Sequence, residues 1–90
     1  MPIFIIAYDI KDEDPQAIRD ELEKRRAKKL QLSVWLFEST KSSNIIYNHF
    51  LSYINKEKDK LFVCQLTGEA EFNIAFRDGC KLLNDKYGNL

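Results

Sequence analysis

The chain has 90 residues, 14 Lys and Arg against 14 Asp and Glu, 44% hydrophobic and 31% charged residues. That length is one domain, residues 1–90, with a single small core, and the zero formal charge excludes both a uniformly basic nucleic-acid coat and an acidic disordered tail. Two cysteines and one histidine make neither a disulfide framework nor a zinc cage, so Cys64 and Cys80 read as buried thiols of a cytoplasmic protein.

Ile3 to Tyr8 is β-branched and aromatic at both alternating sets of positions, the pattern of a central strand covered on two faces. It falls far short of the roughly 20 residues of a membrane span, and no membrane association is expected. Asp14 followed by Pro15 is an N-cap acceptor followed by a helix-starting proline, which predicts a first helix from Pro15 to about Ala27. Within it Asp20 and Lys24, and Glu21 and Arg25, stand four apart, in the order that favours ion pairing.

Lys29 to Thr40 alternates, with Leu30, Leu32, Val34 and Leu36 on one side and Gln31, Ser33, Trp35 and Phe37 on the other. It reads as one long strand or as two joined by a tight reversal; no Asn-Gly or Asp-Gly pair decides between them. Ser42, Ser43 and Asn44 supply capping oxygens for a second helix carrying Ile46, Phe50, Tyr53 and Ile54, and Leu61 to Leu66 is a further apolar strand. Glu71 to Phe76 reads as extended or irregular, and a C-terminal helix is expected from about Arg77 to Lys86, stopped by Gly88.

This order predicts an α+β, ferredoxin-like sandwich: an antiparallel sheet with two helices on one face, plus the C-terminal helix. Helices on one face leave the other uncovered, although strand one is apolar on both. A second copy of the chain is the expected cover, with the segment bearing Phe72, Ile74 and Phe76 as the rival. Tyr8, Trp35 and Phe37 are assigned to the dimer interface on this reading.

Asp9, at the end of a hydrophobic strand, is the candidate catalytic and metal-binding residue, because phosphodiester hydrolysis with a divalent cation needs hard oxygen ligands. Asp12, Glu13 and Asp14 lie close in sequence, and a two-fold axis would bring a second Asp9 near the first; the plainer role is a turn cap. Lys24, Arg25, Arg26, Lys28 and Lys29 put five cations in six residues, dense enough to grip a phosphate backbone, or alternatively a solvated helix end. Residues 9 to 23 carry seven acids against two bases, so the neutral total is the sum of unlike regions. His49 among Tyr47, Phe50 and Tyr53 reads as a packed or surface histidine.

Phe4-Ile5-Ile6-Ala7-Tyr8-Asp9-Ile10, followed by Lys29-Leu30-Gln31-Leu32-Ser33-Val34-Trp35, resembles the CRISPR-associated Cas2-like family, in which an apolar strand ends in Tyr-Asp-Ile and a later segment reads basic-x-Gln-x-Ser-Val-aromatic. The Leu61-Phe62-Val63 strand and the Thr67-Gly68-Glu69 turn are similar to uncharacterised relatives of that family, and the virulence-associated D ribonucleases are more distant cousins. Lys29 stands where the family has Arg, and Leu32 replaces an aromatic. The resemblance implies a ferredoxin-like homodimer with paired strand-one aspartates, Asp9 here. It implies either a metal-dependent endonuclease of RNA or DNA using Mg²⁺ or Mn²⁺, or a non-catalytic dimer that binds nucleic acid or a protein partner.

Overall fold

The computed structural model describes residues 1–11, 15–67 and 77–87. The elements in chain order are β1 (Ile3–Asp9), α1 (Gln16–Lys24), β2 (Lys28–Gln31), β3 (Val34–Glu38), α2 (Ser43–Leu51), β4 (Lys60–Leu66) and α3 (Arg77–Tyr87). The four strands form one sheet in the order β2-β3-β1-β4, and every neighbouring pair is antiparallel. This is the expected ferredoxin-like arrangement, with the most apolar strand, β1, inside.

Alternation along β1 sorts the core into two layers. Phe4, Ile6 and Tyr8 point to one face, where they meet Ile18 and Leu22 of α1 and Ile46 and Phe50 of α2. Ile3 and Ile5 point to the other, where they meet Leu36 of β3, Leu30, Leu66, and Leu82 and Leu83 of α3. Phe4, Phe50, Ile18, Leu22 and Leu36 are all but fully buried, each contributing roughly 1.5–3 kcal/mol of transfer free energy.

Of the two alternatives for Lys29 to Thr40, the structure takes the tight reversal: β2 and β3 form a hairpin turned at Leu32 and Ser33 without a glycine, and the Ser33 carbonyl accepts the Tyr8 amide at 3.1 Å, tying the turn to β1. The first helix ends at Lys24, three residues short of Ala27, because its last turn closes differently, as described below. The Asp14 cap, the extended segment 71–76 and the Gly88 stop lie outside the described residues. In α2 the capping chemistry is present: Ser42 Oγ accepts the Ile45 amide at 3.3 Å.

Tyr8, Trp35 and Phe37, expected at a subunit interface, belong to the core layer beneath the helices rather than to the open sheet face, Phe37 half-buried. Tyr8 and Trp35 are buried beneath the helices, where Trp35 Nε1 donates to the Tyr8 hydroxyl at 3.2 Å, and Phe37 packs edge-on to Phe50 with ring centres 5.8 Å apart. Alternation separates the two sets of a strand's residues but does not say which set the helices cover. Here Trp35 and Phe37 face α1 and α2, and Leu30 and Leu36 face α3. Cys64 is exposed rather than buried, on the part of β4 that α3 does not reach.

Candidate nucleic-acid interface

The cationic run begins where α1 stops. The Ala27 amide donates to the Leu22 carbonyl at 2.9 Å and the Arg26 amide to the Glu23 carbonyl at 3.0 Å, the paired bonds of a Schellman motif. Ala27 and Leu22 are both buried in the first core layer, the apolar contact that accompanies this closure. The motif puts Arg26 in the left-handed region at φ 63°, a place usually held by glycine.

This closure separates Arg25 from the cations that follow it. Arg25 folds back on α1, its Nε donating to Glu21 Oε2 at 2.8 Å. Lys24, Arg26 and Lys28 are exposed, and no ion pair engages them among the described residues. Lys29 lies on the helix side of β2, its Nζ 5.8 Å from the centre of the Trp35 ring. Arg26, Lys28 and Lys29 line a depression of about 500 Å³ against Trp35, with Glu23 and, from α3, Asp78 on its walls.

Asp9 lies elsewhere. It ends β1 exposed, directly across from Lys60 of β4, on the face shared with Phe62 and Cys64. Lys28 is level with Ile5 through Leu36, which is four residues along β1 and two strands across, or about 16 Å from Asp9. The nearby Asp59 carboxylate accepts the Lys11 amide at 3.2 Å and the Asn55 amide at 2.9 Å, fastening the loops around the end of β1. Asp12, Glu13 and Asp14 lie outside the described residues, and among the described residues no three His, Cys, Asp or Glu side chains gather to hold a metal ion. An exposed strand-end carboxylate suits Mg²⁺ or Mn²⁺ chemically, but it supplies one or two of the six oxygens such an ion takes.

The expected Glu21–Arg25 pair has a third member, His49, that the sequence reading did not connect to it. Glu21, 5% exposed, is held between α1 and α2 by Arg25 and by a 2.6 Å hydrogen bond to Nε2 of His49. The Arg25 hydrogen bond, then that of His49, lowers its pKa to about 2 against the opposing effect of burial. The signal was available: Ile18-Glu21-Leu22 and Ile46-His49-Phe50 repeat the same i, i+3, i+4 face, which sets Glu21 and His49 at the seam where the helices meet.

With the fold and these positions in view, the family described as CRISPR associated protein Cas2 matches residues 1–74. The chain belongs to the Cas2 family. That membership gives it a CRISPR-associated, nucleic-acid-related role. The chain also superposes on the crystal structure of the hypothetical protein TT1823 from Thermus thermophilus, with a TM-score of 0.66 at 18% identity over 82% of this chain and 93% of that one, which is a likeness of fold. The Cas2 match stops before α3, so Asp78 and its wall of the depression stand outside the family segment. No helix among the described residues is long and apolar enough to cross a membrane.

Proposed function

We propose that this Cas2-family chain works in the cytoplasm as a homodimeric platform that holds nucleic acid at the corner formed by the end of α1 and the start of β2. The observation that carries this reading is the exposure of Lys24, Arg26 and Lys28 at one corner, with no ion pair to any of them among the described residues. Cations placed in this way release counterions from a phosphate backbone and read no base. Binding to a labelled oligonucleotide is expected to weaken with salt. The double charge reversal Lys24→Glu and Lys28→Glu is expected to flatten the slope of log K against log salt by about two phosphates' worth, roughly 1.4–1.8. A salt-independent affinity would overturn the platform reading in favour of a protein partner.

A second reading is favoured by the position of Asp9 on the half-open sheet face. There a two-fold axis bringing two copies together would pair their Asp9 carboxylates around one Mg²⁺ or Mn²⁺, and the ion would supply an activated water for phosphodiester cleavage. Within one chain Asp9 and the cationic corner are about 16 Å apart, so substrate would have to span the dimer. The platform reading expects Asp9→Asn to bind oligonucleotide with unchanged Kd. The nuclease reading expects Mg²⁺-dependent cleavage by the wild-type protein to fall at least a hundredfold in Asp9→Asn, measured on gels with single- and double-stranded substrates. Equal cleavage by the two proteins would remove Asp9 from the chemistry.

A further inference from the structure

We infer that α3 turns the cationic corner into a receptor for a terminal phosphate monoester, the charge borne by the 5′ end of a strand or by a free nucleotide. This deepens the nucleic-acid reading and rests on it for the strand end alone.

Arg26 carries the first part of the case. Its left-handed backbone, φ 63°, is imposed by the Schellman closure, whose hydrogen bonds are all made by main-chain groups. Any residue satisfies those bonds, and glycine does so without strain. Arginine therefore adds nothing to the closure, and its guanidinium has no ion-pair partner among the described residues to offset the strain. Strain retained at a position without a structural return points to a binding role for the side chain.

The surroundings say which charge it would meet. Arg26, from the end of α1, and Lys28 and Lys29, from β2, all line one open depression of about 500 Å³. Its floor is the Trp35 ring, whose face also holds the Lys29 ammonium. Its walls carry two carboxylates, Glu23 of α1 and Asp78 of α3. A phosphodiester backbone running through would pass those carboxylates with one charge per phosphate. A monoester brings nearly two charges to a depression lined by three cationic residues, and it leaves sugar hydroxyls to donate to the walls. Because α3 lies beyond the segment that matches the Cas2 family, the Asp78 wall is a feature of this chain rather than of the family segment.

The test uses the full chain and a short 3′-labelled single strand carrying either a 5′-phosphate or a 5′-hydroxyl, read by anisotropy at fixed salt. Wild type is expected to favour the phosphorylated strand about tenfold, the value of about one charge-assisted hydrogen bond. Adenosine monophosphate is expected to compete where adenosine does not. Arg26→Gly is expected to abolish the preference while melting at the same temperature or higher, because glycine relieves the backbone; this separates loss of binding from loss of fold. Asp78→Asn, which removes a wall charge, is expected to tighten binding of the phosphorylated strand.

Equal affinity for the two strands in the wild-type protein overturns the monoester site and leaves the platform standing. Persistence of the preference in Arg26→Gly overturns it as well. Binding of adenosine monophosphate without binding of either strand supports the monoester site with a free nucleotide as its source and overturns the platform. Absence of binding to all three overturns both.

Discussion

Glu21 is the residue through which the helix layer answers to pH. Its carboxylate is 5% exposed and has two partners, Arg25 Nε at 2.8 Å and His49 Nε2 at 2.6 Å, while the His49 ring packs at 5.0 Å from Phe50 and 5.6 Å from Tyr53. The pKa is lowered from 4.5 to about 2, chiefly by the Arg25 hydrogen bond, so the folded protein holds the anion more firmly than the unfolded chain does. A lowered carboxylate pKa adds stability that is complete above the unfolded value and is lost as the proton goes on. Wild type is therefore expected to lose stability as pH falls from about 4.5 to about 2, and Glu21→Gln to lose this component of the slope. At neutral pH the same substitution is expected to cost about 1–2 kcal/mol, since charge-assisted hydrogen bonds become neutral ones. Urea midpoints measured across the pH range check both; parallel slopes for the two proteins would show that the bridge does not hold the helices. The corresponding surface pair, Lys81 with Asp85 at 3.0 Å, is exposed on both sides and contributes little at any pH.

At the scale of elements, the sequence was most readable where burial leaves one solution. The run Ile3 to Tyr8 is apolar in both alternating sets and became the inner strand; Ser42 sits before an apolar face and caps α2. What the pattern did not carry was the identity of the cover. Leu36 and Trp35 are equally apolar, and only the three-dimensional closure sends Trp35 under α1 and α2 and Leu36 under α3. The end of α1 was hidden for a related reason: without a glycine to mark it, the Schellman closure shows only once Ala27 and Leu22 are buried together in the first core layer. The candidate site followed the same division. The density of cations was legible, whereas their convergence on the depression depends on the left-handed turn at Arg26 and on Asp78 arriving from α3.

The docking of α3 can be tested at Gly79. A Cβ added there would lie 2.8 Å from the Lys29 carbonyl oxygen and 2.9 Å from Leu30 Cα, main-chain atoms of β2 that cannot turn aside. In a free helix alanine would be favoured over glycine by about 1 kcal/mol. Here the clash, at about 1–3 kcal/mol for an overpacked contact, outweighs the gain or at best cancels it. Gly79→Ala is expected to undock α3, seen as faster amide exchange over residues 77–87 while β1 and β3 stay protected. Unchanged protection of α3 would place its hold elsewhere than at this close approach.

At the scale of the whole molecule, α3 covers part of one sheet face, and the proposed second copy would cover the rest. Leu82 and Leu83 reach Ile3, Leu30 and Leu36, but Phe62 of β4 remains 58% exposed, and Cys64 is exposed beside it. Register places Phe62 across from Ala7 and Lys60 across from Asp9, so an apolar strip ends in one cation and one anion. A two-fold contact is self-complementary: Phe62 of each copy would bury against the other, and Asp9 of each would lie within reach of Lys60 of its mate. That arrangement competes with the pairing of two Asp9 residues around a metal ion, so added Mg²⁺ acts on the equilibrium only if the aspartates face each other. Phe62→Lys is expected to raise the dimer dissociation constant a hundredfold or more, as for a charge placed at a buried interface centre. Little stability is lost within the chain itself, where the side chain is already mostly in water. Sedimentation equilibrium with and without Mg²⁺ reads both effects. Wild type that stays monomeric at high micromolar concentration would overturn the dimer, and a dimer indifferent to Phe62→Lys would move its interface to another face.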